Sequence, residues 1–174
     1  MDFSSLIDIV DDADNELGKY RIEFILAPKK LEFANYAFQN IPWQSVKFSK
    51  NLINNVPDTH RGVYAFAINQ TSAILPPHNY IVYIGIAGRN SDRSLRARYK
   101  DYFDERKLAK RGGLVMKMVA RWQDYLTFYF WPIDDNITTQ DLQLIEEQLN
   151  TALLPPFSTG DIAVETKKKK RILG

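Results

Sequence analysis

The 174-residue sequence predicts an α/β domain: a small, three-stranded antiparallel sheet flanked by helices and preceded by an N-terminal extension. Two observations carry that prediction. Three runs rich in β-branched and aromatic residues, GVYAFAI (62–68), YIVYIGIA (80–87) and LTFYFWPI (126–133), read as strands. Stretches with apolar residues at helical spacing occupy 94–105, 113–125 and the segment from Thr138 or Thr139 to the Pro155–Pro156 stop.

Composition bounds the possibilities. With 45% hydrophobic and 25% charged residues the chain is globular in character and long enough to bury a core. No apolar run approaches the roughly 18 residues of a membrane span, and the acidic N-terminus does not resemble a secretory signal. A soluble, intracellular (cytoplasmic) protein with no membrane partner is expected. The absence of cysteine excludes disulfides, thiolate zinc sites and cysteine nucleophiles, and with two histidines any metal is expected to be a hard cation held by carboxylate. The net charge of +2 hides an uneven distribution: residues 1–20 hold six acids and one lysine, whereas residues 89–121 hold eleven Lys or Arg against four acids. A basic stripe of this kind neutralises phosphates or forms a solvated face.

The elements are expected as follows. Residues 1–59 form an extension of unassigned role, beginning with a short helix or acidic arm and continuing through YRIEFILA (20–27), a strand by propensity. The aromatics Phe33, Tyr36, Phe38, Trp43 and Phe48 are placed to pack against a body, and NNVPDTHRG (54–62) is a turn-rich boundary. The domain proper covers 60–160. Its first two strands make a hairpin with the long connection NQTSAILPPHN (69–79), and GRNSDRS (88–94) supplies capping residues to the next helix. Residues 161–174 form a basic tail that contains KKKKR (167–171), expected as a disordered, solubilising end or a phosphate-neutralising cluster.

Periodicity sets four polar positions apart. Leu95, Arg98 and Tyr102 share one helical face while Arg96 points aside. Glu146 borders the apolar arc of Leu142, Ile145, Leu149, Ala152 and Leu153, and Glu147 lies about 100° further round toward solvent. Tyr64 and Tyr83 sit on neighbouring strands of the hairpin. A packed arginine with a solvated head, a boundary ion pair and ordinary strand tyrosines account for these positions as well as a catalytic cluster does.

GVY at 62–64, followed nineteen residues later by YIG at 83–85, resembles the paired signature of the GIY-YIG nucleases. SLRARYKDYF (94–103) is similar to that family's arginine helix, with Leu95, Arg98 and Tyr102 in register, and EEQLNTALLPPF (146–157) to its glutamate helix, with Glu146, Leu149 and Pro155 in register. Ser158 stands where the family usually has Asn, twelve residues after the glutamate.

The resemblance implies a metal-dependent endonuclease acting on nucleic acid, above all DNA, that leaves 5′-phosphate and 3′-hydroxyl ends. Tyr64 is then the base or water positioner, Tyr83 orients it, Arg98 clamps the scissile phosphate, Tyr102 supports it, and Glu146 holds a single Mg²⁺ or Mn²⁺. Arg89, Arg93, Arg96, Lys107, Lys110 and Arg111 are expected to hold flanking backbone phosphates, with Gly85 and Ser158 in supporting places and a protein partner available for targeting. The alternative is a catalytically degenerate nucleic-acid-binding module of the same fold.

Overall fold

The computed structural model describes residues 4–32, 41–70, 76–89, 91–134, 136–158 and 160–172. An acidic helix α1 (Ser4–Glu16) and a short α2 (Pro28–Glu32) precede strand β1 (Gln44–Lys47). The hairpin follows as β2 (Gly62–Gln70) and β3 (His78–Ala87), then α3 (Leu95–Lys100), α4 (Glu105–Ala109), α5 (Gly113–Trp122), β4 (Leu126–Pro132), α6 (Thr139–Leu153) and α7 (Val164–Ile172). All strand pairs are antiparallel, in the order β1-β4-β2-β3. Among the described residues no helix is long and apolar enough to cross a membrane.

The sheet has four strands where three are expected. The extra one, QSVK at 44–47, lies in the segment read as an extension and pairs with β4 from Gln44 opposite Phe130 to Lys47 opposite Thr127. Its side chains lack the alternation of a half-buried strand, because backbone pairing at a sheet edge is what holds it. The chain then commits itself to the core through Phe48, stacked on Phe103 at 4.5 Å and edge-on to Phe66 at 5.6 Å, while Trp43 stays largely at the surface. Phe33, Tyr36 and Phe38, and residues 71–75 of the hairpin connection, lie outside the described residues.

Each face of the sheet has its own core. On one, Tyr64, Phe66, Phe128 and Phe130 pack with Leu95, Tyr99 and Tyr102 and with Met118 and Trp122 of α5. On the other, Val63, Ala65, Ile84 and Ile86 meet Leu142 and Ile145 of α6. The alternation of the β2 sequence, Val63 and Ala65 against Tyr64 and Phe66, is therefore that of a strand buried on both sides.

Local chemistry explains the helix boundaries. The expected 94–105 helix breaks into α3, a 3₁₀ turn (Asp101–Phe103) and α4, because the Asp104 side chain accepts the Lys107 amide at 3.1 Å and starts a new helix. The expected 113–125 helix is α5 followed by a 3₁₀ turn (Gln123–Tyr125). Thr138, not Thr139, caps α6, in a reciprocal capping box with Asp141. Leu154 then closes α6 in the left-handed conformation (φ 48°) ahead of Pro155.

Two further expectations are corrected. Residues 21–27 are not a strand: Phe24 lies on Tyr80 of β3 at 5.4 Å, with Ile22 packed on the core, and the segment straps the outside of the sheet without joining it. The outer edge of β3 is already occupied at Val82 and Ile84 by hydrogen bonds from Phe157 and Ser158. The basic tail is not disordered but carries α7, anchored where Lys30 of α2 donates to the buried Thr166 at 3.1 Å.

Candidate active site

Pairing across the hairpin puts Tyr64 opposite Gly85 and Tyr83 opposite Phe66, so both phenols rise from the same face. Gly85 is what lets them do so. A Cβ there would lie 2.6 Å from the Tyr64 hydroxyl and 3.0 Å from the Tyr83 ring, inside van der Waals contact. Beyond Tyr83 the register slips, and the bulge leaves the Val82 carbonyl free to accept the Phe157 amide at 2.9 Å. Ser158, next in the chain, accepts from the Ile84 amide at 2.9 Å and donates to the Ile84 carbonyl at 3.3 Å. Its hydroxyl thus ties the segment after α6 to the strand that carries Tyr83.

Three phenols meet over this surface. The buried hydroxyls of Tyr64 and Tyr102 are 2.9 Å apart, and the Tyr64 and Tyr83 rings lie 6.1 Å apart, tilted. Arg111 donates to the Tyr102 hydroxyl at 3.2 Å while its guanidinium lies 4.4 Å over the Tyr102 ring. Charge on Tyr64, and burial after it, push the Tyr83 phenol far above its ordinary range. Burial does the same to Tyr102, and in both cases the Arg111 charge opposes the rise.

Glu146 approaches from α6. It is buried, and its partner is Arg89, whose Nη2 bonds both the Glu146 carboxylate and Asp161 (2.7 Å). Burial, then Asp161, raise the Glu146 carboxyl to about 7, while Arg89 and Arg98 pull the other way. Arg98 is half-buried, and its Nε is a buried donor with no partner among the described residues. A donor left in that state invites an acceptor from outside. Glu147, by contrast, is exposed. A cavity of about 220 Å³ beside Tyr83 is bounded by Arg111, Ser158 and Asp161; larger ones lie elsewhere, about 570 Å³ beside Tyr102 and Phe103 and about 680 Å³ under the 21–25 strap.

The expected phosphate-holding residues fare differently. Arg93 (2.5 Å), Lys107 (3.0 Å) and Arg111 (3.2 Å) all bond Asp101, which is itself buried. Arg96 brackets the 54–58 turn through the Asn54 and Val56 carbonyls and Asp58. Arg89 is held by the two carboxylates, and among the described residues Lys110 is exposed and makes no ion pair. Asp161 and Asp101 were not singled out by sequence reasoning. Asp161 follows the Pro155–Pro156 stop in an irregular segment without periodicity, and nothing in the sequence announces that Asp101 gathers cations from three different positions. No family model, curated protein or solved structure matches this chain.

Proposed function

We propose that the chain is a metal-dependent endonuclease of the GIY-YIG type, acting on nucleic acid and most of all on DNA. The observation that carries this reading is the assembly of Tyr64, Tyr83, Tyr102, Arg98 and Glu146, drawn from five separate elements, into one electrostatically linked group. Tyr64 touches Tyr102, Tyr83 responds to the charges of both Tyr64 and Glu146, and Glu146 responds to Arg98. Core packing alone gives no reason to surround phenols with a carboxylate and guanidinium groups.

Hydrolysis of a phosphodiester needs a group to take the proton of the attacking water, positive charge against the phosphoryl oxygens, and stabilisation of the leaving 3′-oxygen. Tyr64, oriented by Tyr102 and Tyr83, takes the first role. Arg98, with an unspent buried N–H, takes the second. Glu146, with Asp161 beside it, offers the hard oxygen donors that suit Mg²⁺ or Mn²⁺, so the donor chemistry fits a single divalent ion. When bound, such an ion supplies Lewis-acid stabilisation of the leaving oxygen. Arg89 now neutralises both carboxylates, and releasing one of them frees a guanidinium for a phosphate.

The test is nicking of supercoiled plasmid with Mg²⁺, Mn²⁺ or EDTA, beside Glu146→Ala and Arg98→Ala proteins shown to be folded. Metal-dependent nicking that each substitution lowers by more than about a hundredfold is expected. A second reading, a binding module that has lost catalysis, is favoured by the ion pair occupying Glu146. It predicts salt-sensitive DNA binding without cleavage in all three proteins.

A further inference from the structure

Arg111 was expected to hold backbone phosphate, yet the fold turns it inward. It is the middle residue of the short connection from α4 to α5, between the exposed Lys110 and the exposed Gly112–Gly113 pair. Gly112 has φ +98° with no atom near its would-be Cβ, so glycine is present for backbone conformation and not for space. That turn sends Lys110 to solvent and leaves the Arg111 side chain only 14% exposed.

The contacts of Arg111 are specific. One nitrogen meets Asp101 at 3.2 Å, another the Tyr102 hydroxyl at 3.2 Å, and the guanidinium plane covers the Tyr102 ring. An ion pair with Asp101 alone would account for burying an arginine; it does not account for a second donor spent on a phenol. Asp101 is moreover shared with Arg93 and Lys107, so three cations face one carboxylate and the group keeps a surplus positive charge beside the phenols. The other charged or titratable groups facing them are Tyr83 from β3, Glu146 from α6, Arg98 from α3 through Glu146, and Asp161 across the small cavity. Of these, Glu146 and Asp161 oppose negative charge on a phenol and Arg98 favours it.

We propose that Arg111 is a positioning residue of this site, holding the Tyr102 hydroxyl so that it orients the Tyr64 phenol; the assignment rests on the nuclease reading. The chain of contacts is Arg111 to Tyr102 at 3.2 Å and Tyr102 to Tyr64 at 2.9 Å. Arg111 donates to Tyr102, which frees the Tyr102 hydroxyl proton to donate to Tyr64. The Tyr64 oxygen then accepts, which is the arrangement a base needs before it takes a proton from water.

The test is a double-substitution cycle in single-turnover nicking, with Arg111→Met, Tyr102→Phe and the pair, and Arg111→Lys as the conservative variant. Arg111→Met is expected to lower kcat by roughly ten- to a hundredfold, the worth of a charge-assisted hydrogen bond, with KM unchanged. In the Tyr102→Phe background its effect should shrink to what the direct attraction between Arg111 and Tyr64 carries, and Arg111→Lys should recover most of the loss. Additive losses, or a raised KM with kcat retained, overturn the proposal and return Arg111 to a phosphate contact. Where Arg111→Met does not fold, Arg111→Gln replaces it in the same cycle.

A readout without substrate separates this proposal from the nuclease reading. In protein labelled with ¹³C-tyrosine, the Tyr64 Cζ resonance, assigned with Tyr64→Phe, should move on Arg111→Met and move clearly less once Tyr102 is Phe. A stationary resonance overturns the proposal even if nicking is robust. Absence of nicking in every protein overturns the nuclease reading and the positioning role with it, while a moving resonance would still establish the contact chain.

Discussion

Two carboxylates in this molecule are buried to the same degree, Asp101 at 2% exposure and Glu146 at 4%, and they are treated in opposite ways. Asp101 is surrounded by Arg93, Lys107 and Arg111, whose nitrogens lie at 2.5, 3.0 and 3.2 Å. Among the described residues Glu146 has one ion-pair partner, Arg89, which it must share with Asp161. Burial of charge is costly in both places, but only the first is fully compensated. The saturated carboxylate is a knot that fixes the turn carrying Tyr102. The under-compensated one, raised to about 7, is the position at which an incoming cation has something to gain.

The comparison can be broken most forcefully at the knot. Asp101→Asn removes the charge that holds three cations together, and unfolding in urea should show a loss of about 3 kcal/mol, the usual cost of orphaning buried ionic partners. A neutral result would make the two carboxylates equivalent and dissolve the contrast.

Glu146→Gln should go the other way, and with a pH dependence. Because burial favours the protonated Glu146 carboxyl, the folded protein holds that proton to about pH 7, whereas an unfolded chain releases it near the usual carboxylate value of about 4.3. Stability contributed by the protonated form is complete below the unfolded value and is lost as the pH rises through about 7. Glutamine does not ionise, so its advantage should be absent near pH 4 and reach on the order of 3 kcal/mol above pH 7, read as the difference between urea midpoints of the two proteins. An equal gain at both pH values would mean that the burial cost does not lie in the charge.

The smallest expected effect sharpens the frame around Glu146 and Asp161. Ser158→Ala leaves the Ile84 amide without its acceptor and should cost about 1 kcal/mol, with Ser158→Asn recovering part of it if the longer side chain still reaches the strand. Thermal unfolding of the three proteins decides this; an unchanged midpoint for Ser158→Ala would show that the hydroxyl does not brace the segment.

Much of the site was legible because it follows local periodicity. Helical spacing alone separates Arg98 from Arg96 and Glu146 from Glu147; the structure buries Glu146 and exposes Glu147, whereas both arginines are half-buried and differ in that Arg96 is spent on the 54–58 turn. The hairpin and the cap of α6 follow from residue chemistry of the same short range. What escaped is non-local. QSVK shows no strand pattern and becomes β1 because β4 presents an open edge, while YRIEFILA has every strand propensity and finds no edge to join. Among the basic residues read as a phosphate-binding stripe, Arg93, Lys107 and Arg111 share Asp101, whose neighbours in space no window of sequence displays.

The double hydrogen bond between Ser158 and Ile84 has a further consequence for measurement. In a regular sheet an amide's solvent exchange reports the opening of the neighbouring strand; that of Ile84 is held by a side chain from the segment after α6. Its exchange rate is therefore a clock for undocking of that segment, separable from the Ala65 and Tyr64 amides of the central strand. One resonance, followed in heavy water while cations or nucleic acid are added, reads how often Glu146 and Asp161 part company with the tyrosines.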